Sequence, residues 1–504
     1  MRPFEMLVLV TLLLTLTGFF VAKTRRPRWF STLPSLAVIF AVFHLILEKY
    51  RWQMVPIYVL TVFLFVLSII LLKRQSRKRV QPTSKGHRVI RIVLAAFGLL
   101  CLLISAVPPV LFPVFRLPKP SGPYKVGTTI FQFLDSSRLE TLTEDPNDHR
   151  EFMARVWYPA EPPLNASPVP YRKYSPAIGS ILQQGAAAFG KQPPDFIFSH
   201  LDLLKSNAYK DAPVSKAQSL YPIVCFSCGF LSDLDEYQVY FEELASHGYI
   251  VFSLNQPYES QSVVHPDGRI IPFNKAHAEE FQRTTEETTP LWKRFWESKN
   301  MEERASIAKQ ILEKGSFLNK IIRIRSEDYR FLATQLNKIN SGERKSPLTG
   351  KLDVSKLGIF GHSGGGAVAG QVCAVDSRFK AGINLDGFQL GDVIDRKVQQ
   401  PFMIMYSEGF AGSNDSMLQN FQNVTYVITI RGSKHSDFSD NPLIFPLSKR
   451  MGTSGSISSR RMLRITNDYI LSFFDKYLKG KDAALLDGPP LQYPEVIFKK
   501  LNNK

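Results

Sequence analysis

Residues 357–366 read LGIFGHSGGG, and the fold turns on whether Ser363 is a nucleophile or a small residue in a glycine turn. The stretch contains G-x-S-x-G as Gly361, Ser363 and Gly365. LGIF has strand character, and Gly364 to Val372 reads as a helix. A serine on the sharp turn between strand and helix, with glycines at minus two and plus two where side chains would collide, is a nucleophile elbow. A phosphate-binding loop does not fit, because no Lys-Ser or Lys-Thr pair follows the glycines.

Around this elbow, short β-branched or aromatic runs alternate with helical stretches. The runs are ARVWYP (154–159), PIVCFS (222–227), YIVFSL (249–254), LGIFG (357–361), AGINLD (381–386), PFMIMYS (401–407) and VTYVITI (424–430). Several are continuously apolar, as strands covered on both faces are, so the expected fold is a mostly parallel α/β sheet flanked by helices. Two connections are longer than such a sheet needs, 167–215 and 275–318. The second contains LWKRFWESKNMEERASIAKQILEKG, which reads as charged amphipathic helices. Both are expected to be surface decoration or lids.

A nucleophilic serine needs a base, a carboxylate to orient it, and backbone donors for the oxyanion. Of nine histidines only His435 follows Ser363, in RGSKHSDF just past a late strand, where the base of this fold arrives. Two carboxylates compete for the third role. Asp386 ends AGINLD and Glu408 ends PFMIMYSE; both fall at the carboxyl edge of a parallel sheet, and spacing does not choose between them. For the oxyanion, CFSCGFLSD (225–233) supplies a loop after an early strand, which assigns the donors to the backbone N–H groups of Phe230 and Gly364. Cys225-x-x-Cys228 has no second pair and no histidine set nearby, so buried thiols are expected there and no metal site. The chemistry needs no cofactor.

The N-terminal quarter is different. Four windows carry almost no charge: 6–22, 30–47, 52–72 and 92–107. Each is about as long as a helix crossing ~30 Å of hydrocarbon, which predicts a four-helix transmembrane region over 1–115, a linker over 116–130 and a catalytic domain over 131–504. The first window is expected to be a retained span and not a cleaved leader, since Glu5 sits in its head and no A-x-A site follows. Basic residues crowd the loop at Lys23, Arg25, Arg26 and Arg28 and the loop from Lys73 to Arg91. The positive-inside rule therefore puts these loops in the cytoplasm and everything after the fourth span outside. Residues 1–115 account for +13 of the net +18, so the basic balance is a topology signal and nucleic-acid binding loses its support. His44, inside the second window, is expected to make an interior hydrogen bond.

FSCGF, ELASHGYIVFSLNQP, LGIFGHSGGG, DSRFKAGINLDGF, PFMIMYSEGF and RGSKHSDF, in that order, resemble the platelet-activating factor acetylhydrolase family of α/β-hydrolases over about residues 120–500. The resemblance implies that Asp386, in NLDGF, is the acid, leaving Glu408 as a neighbour. It departs at Cys228-Gly229, where the family usually has His-Gly, and at Gly364, where a bulky residue is usual; neither change removes a backbone N–H. It further implies ester hydrolysis through an acyl-enzyme, on short or oxidised acyl chains of phospholipids, as in a 1-alkyl-2-acetylglycerophosphocholine esterase. With the windows above, the expectation is a multi-pass plasma-membrane enzyme whose catalytic domain faces outward and meets its lipid at the bilayer. The rival readings are an extracytoplasmic acyltransferase using the same triad and a non-catalytic receptor that binds a lipid or protein partner.

Overall fold

The computed structural model describes the chain apart from residues 19–27, 77–84, 173–193, 260–262, 266–267, 272–273, 490 and 503–504. Of the basic residues that set the topology expectation, Lys23, Arg25, Arg26, Arg77, Lys78 and Arg79 lie outside the described residues. The chain divides into two compact units, one of residues 1–116, 170–205 and 444–446, the other of 117–169, 206–443 and 447–504.

The first unit is built on α1 (Pro3–Gly18), α2 (Leu33–Phe43), α3 (Val55–Ser76) and α4 (Lys85–Leu111). Trp29–Glu48, Trp52–Ile70 and Ile92–Leu111 are long and apolar enough to cross a membrane; α1 is apolar but shorter, and its window is described only to Gly18. Their packed seam is Val8, Leu12, Leu16, Ala37, Met54, Ile57, Leu64 and Leu102. At one end Glu5 is buried and accepts a two-pronged hydrogen bond from Arg51, Nε to Oε1 at 2.7 Å and Nη2 to Oε2 at 2.6 Å. His44 makes the interior hydrogen bond expected of it, Nδ1 to the Tyr58 hydroxyl at 2.8 Å, and its Nε2 lies 3.3 Å from Glu5. The helical turn Asp195–Leu203, from the first long insertion, belongs to this unit: Trp52 Nε1 donates to the Ile197 carbonyl at 3.0 Å.

The second unit is a ten-stranded sheet. Its strands are β1 (Lys125–Leu139), β2 (His149–Ala160), β3 (Ala208–Lys210), β4 (Tyr221–Ser227), β5 (Ile250–Leu254), β8 (Leu352–His362), β9 (Phe379–Leu385), β10 (Phe402–Ser407), β11 (Thr425–Ile430) and β12 (Val496–Leu501). A separate two-residue pair, β6 (Val263–Val264) and β7 (Ile270–Ile271), stands apart. The order is β12-β11-β10-β9-β8-β4-β5-β2-β1-β3. β5, β4, β8, β9, β10 and β11 run parallel; β2 is antiparallel to β5, β1 to β2, and β12 to β11. Each of the seven runs read as strands from sequence is one. β1 begins at Lys125, inside the stretch expected to be linker. It pairs antiparallel and buries side chains discontinuously, so it lacks the unbroken apolar run that marks the central strands.

Helices cover the parallel strands: α5 (Gln238–Ser246), α6 (Lys275–Glu297), α7 (Met301–Lys314), α8 (Ser316–Ser341), α9 (Gly364–Val375) and α10 (Ser459–Lys479). Register decides where chemistry collects. Ser227 pairs with Gly361, His362 with Leu385, Leu385 with Met405, and Ser407 with Ile430. The loops beginning at Cys228, Ser363, Asp386, Glu408 and Arg431 therefore leave the sheet along one edge, the carboxyl edge where α/β folds bind ligands.

Candidate active site

Ser363 sits between β8 and α9 with φ 57° and ψ −125°, a backbone conformation that side chains disfavour and packing must hold. Two contacts hold it: the Ser363 N–H donates to Leu385 O at 2.8 Å, and Gly366 N–H donates to Ser363 O at 2.9 Å. A Cβ at Gly361 would collide with the Gly365 carbonyl, and one at Gly365 with the Ser227 carbonyl. Only glycine at both positions lets the strand turn into the helix this tightly.

Asp386 also has positive φ, 54°, and its side chain is fully buried. Its Oδ2 lies 2.8 Å from His435 Nδ1 and accepts from Ser407 Oγ at 2.8 Å; its Oδ1 accepts from Ser407 N–H at 2.6 Å. Two donors from Ser407 hold the carboxylate in addition to the imidazole. Glu408 instead accepts from the Gly432 N–H at 2.9 Å, at the root of the loop carrying His435. The imidazole is half exposed.

Ser363, Asp386, His435 and Gly364 line one pocket of about 160 Å³ together with Phe230. No hydrogen bond joins Ser363 to His435, whose side-chain partner is Asp386. The far wall comes from the second insertion. Phe281, Thr284, Thr288 and Trp292 follow the three-to-four-residue period of one face of α6, and Ile311 of α7 joins them. Trp292 meets Phe388 edge-on at 4.7 Å, and Phe410 lies 6.1 Å from the His435 ring. Of the first insertion, residues 173–193 lie outside the described residues.

The loop after β4 lies against the elbow. A Cβ on Gly229 would stand 3.2 Å from Ser363 Cβ, and one on Gly364 would stand 2.7 Å from the Phe230 ring. Gly364 opens α9, so its N–H has no acceptor within the helix. Phe230 and Gly364, the two proposed donors, are therefore neighbours beside Ser363. The space that bulk at 364 would fill is taken by Phe230.

Two residues the sequence did not mark support this arrangement. His362 is buried, and burial, helped by the nearby His435, pushes its imidazole well below the usual range. A neutral ring whose Nε2 donates to His435 O at 3.0 Å leaves Nδ1 to accept from the Tyr237 hydroxyl at 3.0 Å. The Tyr237 hydroxyl also lies 2.9 Å from Ser232 Oγ, so it ties the β4 loop, through His362, to the His435 loop. The thiols of Cys225 and Cys228 are buried and unpaired with each other; burial raises both, Cys228 to about 12, which keeps them inert.

This sheet order and the strand–turn–helix at Ser363 define an α/β-hydrolase fold, and the family and relatives that match the chain make it a carboxylic ester hydrolase. The family model described as "Platelet-activating factor acetylhydrolase, isoform II" matches residues 110–488, and the chain belongs to that family. Platelet-activating factor acetylhydrolase of Cavia porcellus is 27% identical over 384 residues, 72% of this chain and 78% of that protein. The Gallus gallus protein of the same description is 26% identical over 398 residues, 74% and 87% of the two chains. Among solved structures, a ferulic acid esterase from Streptomyces cinnamoneus superposes with a TM-score of 0.57 at 22% identity, covering 77% of this chain and 99% of that one, which is a likeness of fold.

Proposed function

We propose that the chain is a membrane-anchored serine esterase that hydrolyses phospholipid esters with short or oxidised acyl chains. Ser363 Oγ attacks the ester carbonyl while His435 Nε2 takes its proton. Asp386 holds the Nδ1–H and stabilises the imidazolium, and the N–H groups of Phe230 and Gly364 receive the oxyanion. Collapse breaks the bond to the alcohol oxygen, which leaves with the proton from His435. Water then attacks the acyl-enzyme, with His435 again as base, and the carboxylic acid departs, regenerating Ser363.

One observation carries the reading: the 2.8 Å Asp386–His435 hydrogen bond beside a serine held at positive φ on the same pocket. The narrow aromatic pocket favours a short acyl group, and family membership favours a phospholipid ester. The proposal includes four N-terminal spans with the sheet unit outside the cell; three helices long and apolar enough to cross a membrane and the distribution of basic residues support it.

The test is fluorophosphonate labelling of the full chain in detergent beside Ser363→Ala, followed by turnover on phospholipids with acetyl, oxidised and long sn-2 chains. The expected result is labelling lost in the variant and turnover falling with chain length. An unlabelled wild type sinks the serine mechanism, and turnover on water-soluble esters alone sinks the lipid assignment. Ester formed with an added alcohol in place of free acid would transfer the reading to acyl transfer.

A further inference from the structure

The β4 loop is held by a side chain from another part of the sequence. Arg325, on α8, is completely buried, an expensive place for a cation unless each contact is used. Its Nε donates to Glu259 Oε2 at 2.7 Å, its Nη1 donates to the Cys228 carbonyl at 2.8 Å, and its guanidinium lies over the Phe230 ring at 4.9 Å. Glu259 stands 3.9 Å from Arg150, which is itself paired with Glu140 and Asp328, so the carboxylate that holds Arg325 lies in the field of a second buried arginine.

These contacts determine where the loop's amides point. The Cys228 carbonyl and the Gly229 N–H belong to one planar peptide. Arg325 takes the carbonyl and so fixes that plane, while the Tyr237 hydroxyl, 2.9 Å from Ser232 Oγ, holds the loop three residues further on. In the next peptide the Gly229 carbonyl accepts from Ser232 N–H at 3.4 Å, which turns the Phe230 N–H the opposite way. Stacking of Arg325 on the ring of the same residue restrains its side chain. Where the family usually places His-Gly, this chain has Cys228-Gly229, and the thiol makes only a long 3.8 Å contact to Ser232 O. The strong donor to this loop comes from α8.

We propose that Arg325 is the positioning residue of the oxyanion hole: it orients the Cys228–Gly229 peptide and, through it, the Phe230 N–H. The proposal rests on the esterase reading above. An oxyanion donor acts on the charge developed in the transition state, so displacing it lowers kcat and leaves KM nearly unchanged. A general packing role would instead reduce the fraction of folded, competent molecules.

Arg325→Lys keeps the charge beside Glu259 but lacks the planar fork needed to serve a carboxylate, a carbonyl and a ring together. The full chain is assayed in detergent, with competent sites counted by fluorophosphonate titration and kcat given per titrated site. The expected result for Arg325→Lys is a fall of about 10–100-fold in kcat with KM within about threefold and an unchanged titre. Glu259→Gln, which loosens Arg325 while leaving its bond to Cys228, is expected to lower kcat per site by about threefold, and it carries the test if Arg325→Lys does not fold. Full kcat per site in a folded Arg325→Lys, or in Glu259→Gln where that is the only folded variant, overturns the proposal, as does a loss confined to the titre. A wild type that neither labels nor turns over ester overturns the esterase reading instead.

Discussion

In the helical unit Ile46, Leu103 and Val59 are 69, 68 and 64% exposed, while Glu5, His44 and Arg51 are buried. In the sheet unit Ile359, Phe360, Ile383 and Met403 are wholly buried, and the long amphipathic helices turn charge outward. One unit shows its apolar side chains to the surroundings and gathers charge inside; the other does the reverse. The first arrangement suits hydrocarbon as solvent and the second suits water. Yet both bury arginine–carboxylate clusters. In the helices Arg51–Glu5 joins the bundle end, whereas in the sheet unit Arg325–Glu259 reaches the catalytic loop. The same interaction therefore serves assembly in one place and geometry in the other.

That contrast breaks most visibly at the site itself. Asp386→Asn leaves the packing intact but spoils the tautomer and charge at His435, and turnover is expected to fall on the order of 10⁴-fold. Glu408→Gln, which keeps an acceptor for the Gly432 N–H, is expected to stay within about threefold. Steady-state turnover per titrated Ser363 decides between them, and the reverse ranking would move the acid to Glu408.

The helical cluster should affect stability and leave chemistry alone. Glu5→Gln strands the buried Arg51 guanidinium, at a cost of about 3–5 kcal/mol to the bundle. Thermal unfolding of the full chain in detergent is expected to show a lowered first transition, with turnover per titrated site unchanged. If turnover falls in step with stability, the division of roles between the clusters is wrong.

A smaller effect separates burial from pairing inside the sheet unit. Burial pushes Glu242 on α5 up to about 7, against hydrogen bonds from the Asn207 N–H and side-chain amide at 2.8 Å. Its folded value exceeds its unfolded one, so the stability it contributes is present below the unfolded value and lost as pH rises through about 7. Between about pH 5 and pH 8, Tm of the wild type is expected to fall relative to Glu242→Gln, measured by scanning calorimetry. Parallel pH profiles for the two proteins would show that the carboxyl is not held protonated.

Much of this was legible in the chain itself. Strands covered on both faces must be continuously apolar, so PIVCFS, YIVFSL and PFMIMYS show as runs; an elbow is built from residues adjacent in sequence, so Gly361, Ser363 and Gly365 mark it locally. With a single histidine downstream, chain order singled out His435 as the candidate base. Strand β1 was missed because its interrupted burial leaves no such run. Folding alone decided the rest. Asp386 and Glu408 both end neighbouring strands, and the choice depends on which of them the imidazole reaches. α8 reads as an ordinary amphipathic helix, and nothing in RIRSEDYR says that Arg325 meets a carbonyl 97 residues upstream. Local pattern reports the backbone a segment will adopt; contacts between distant segments exist only once the sheet has set their register, and the orientation of the oxyanion loop is one of them.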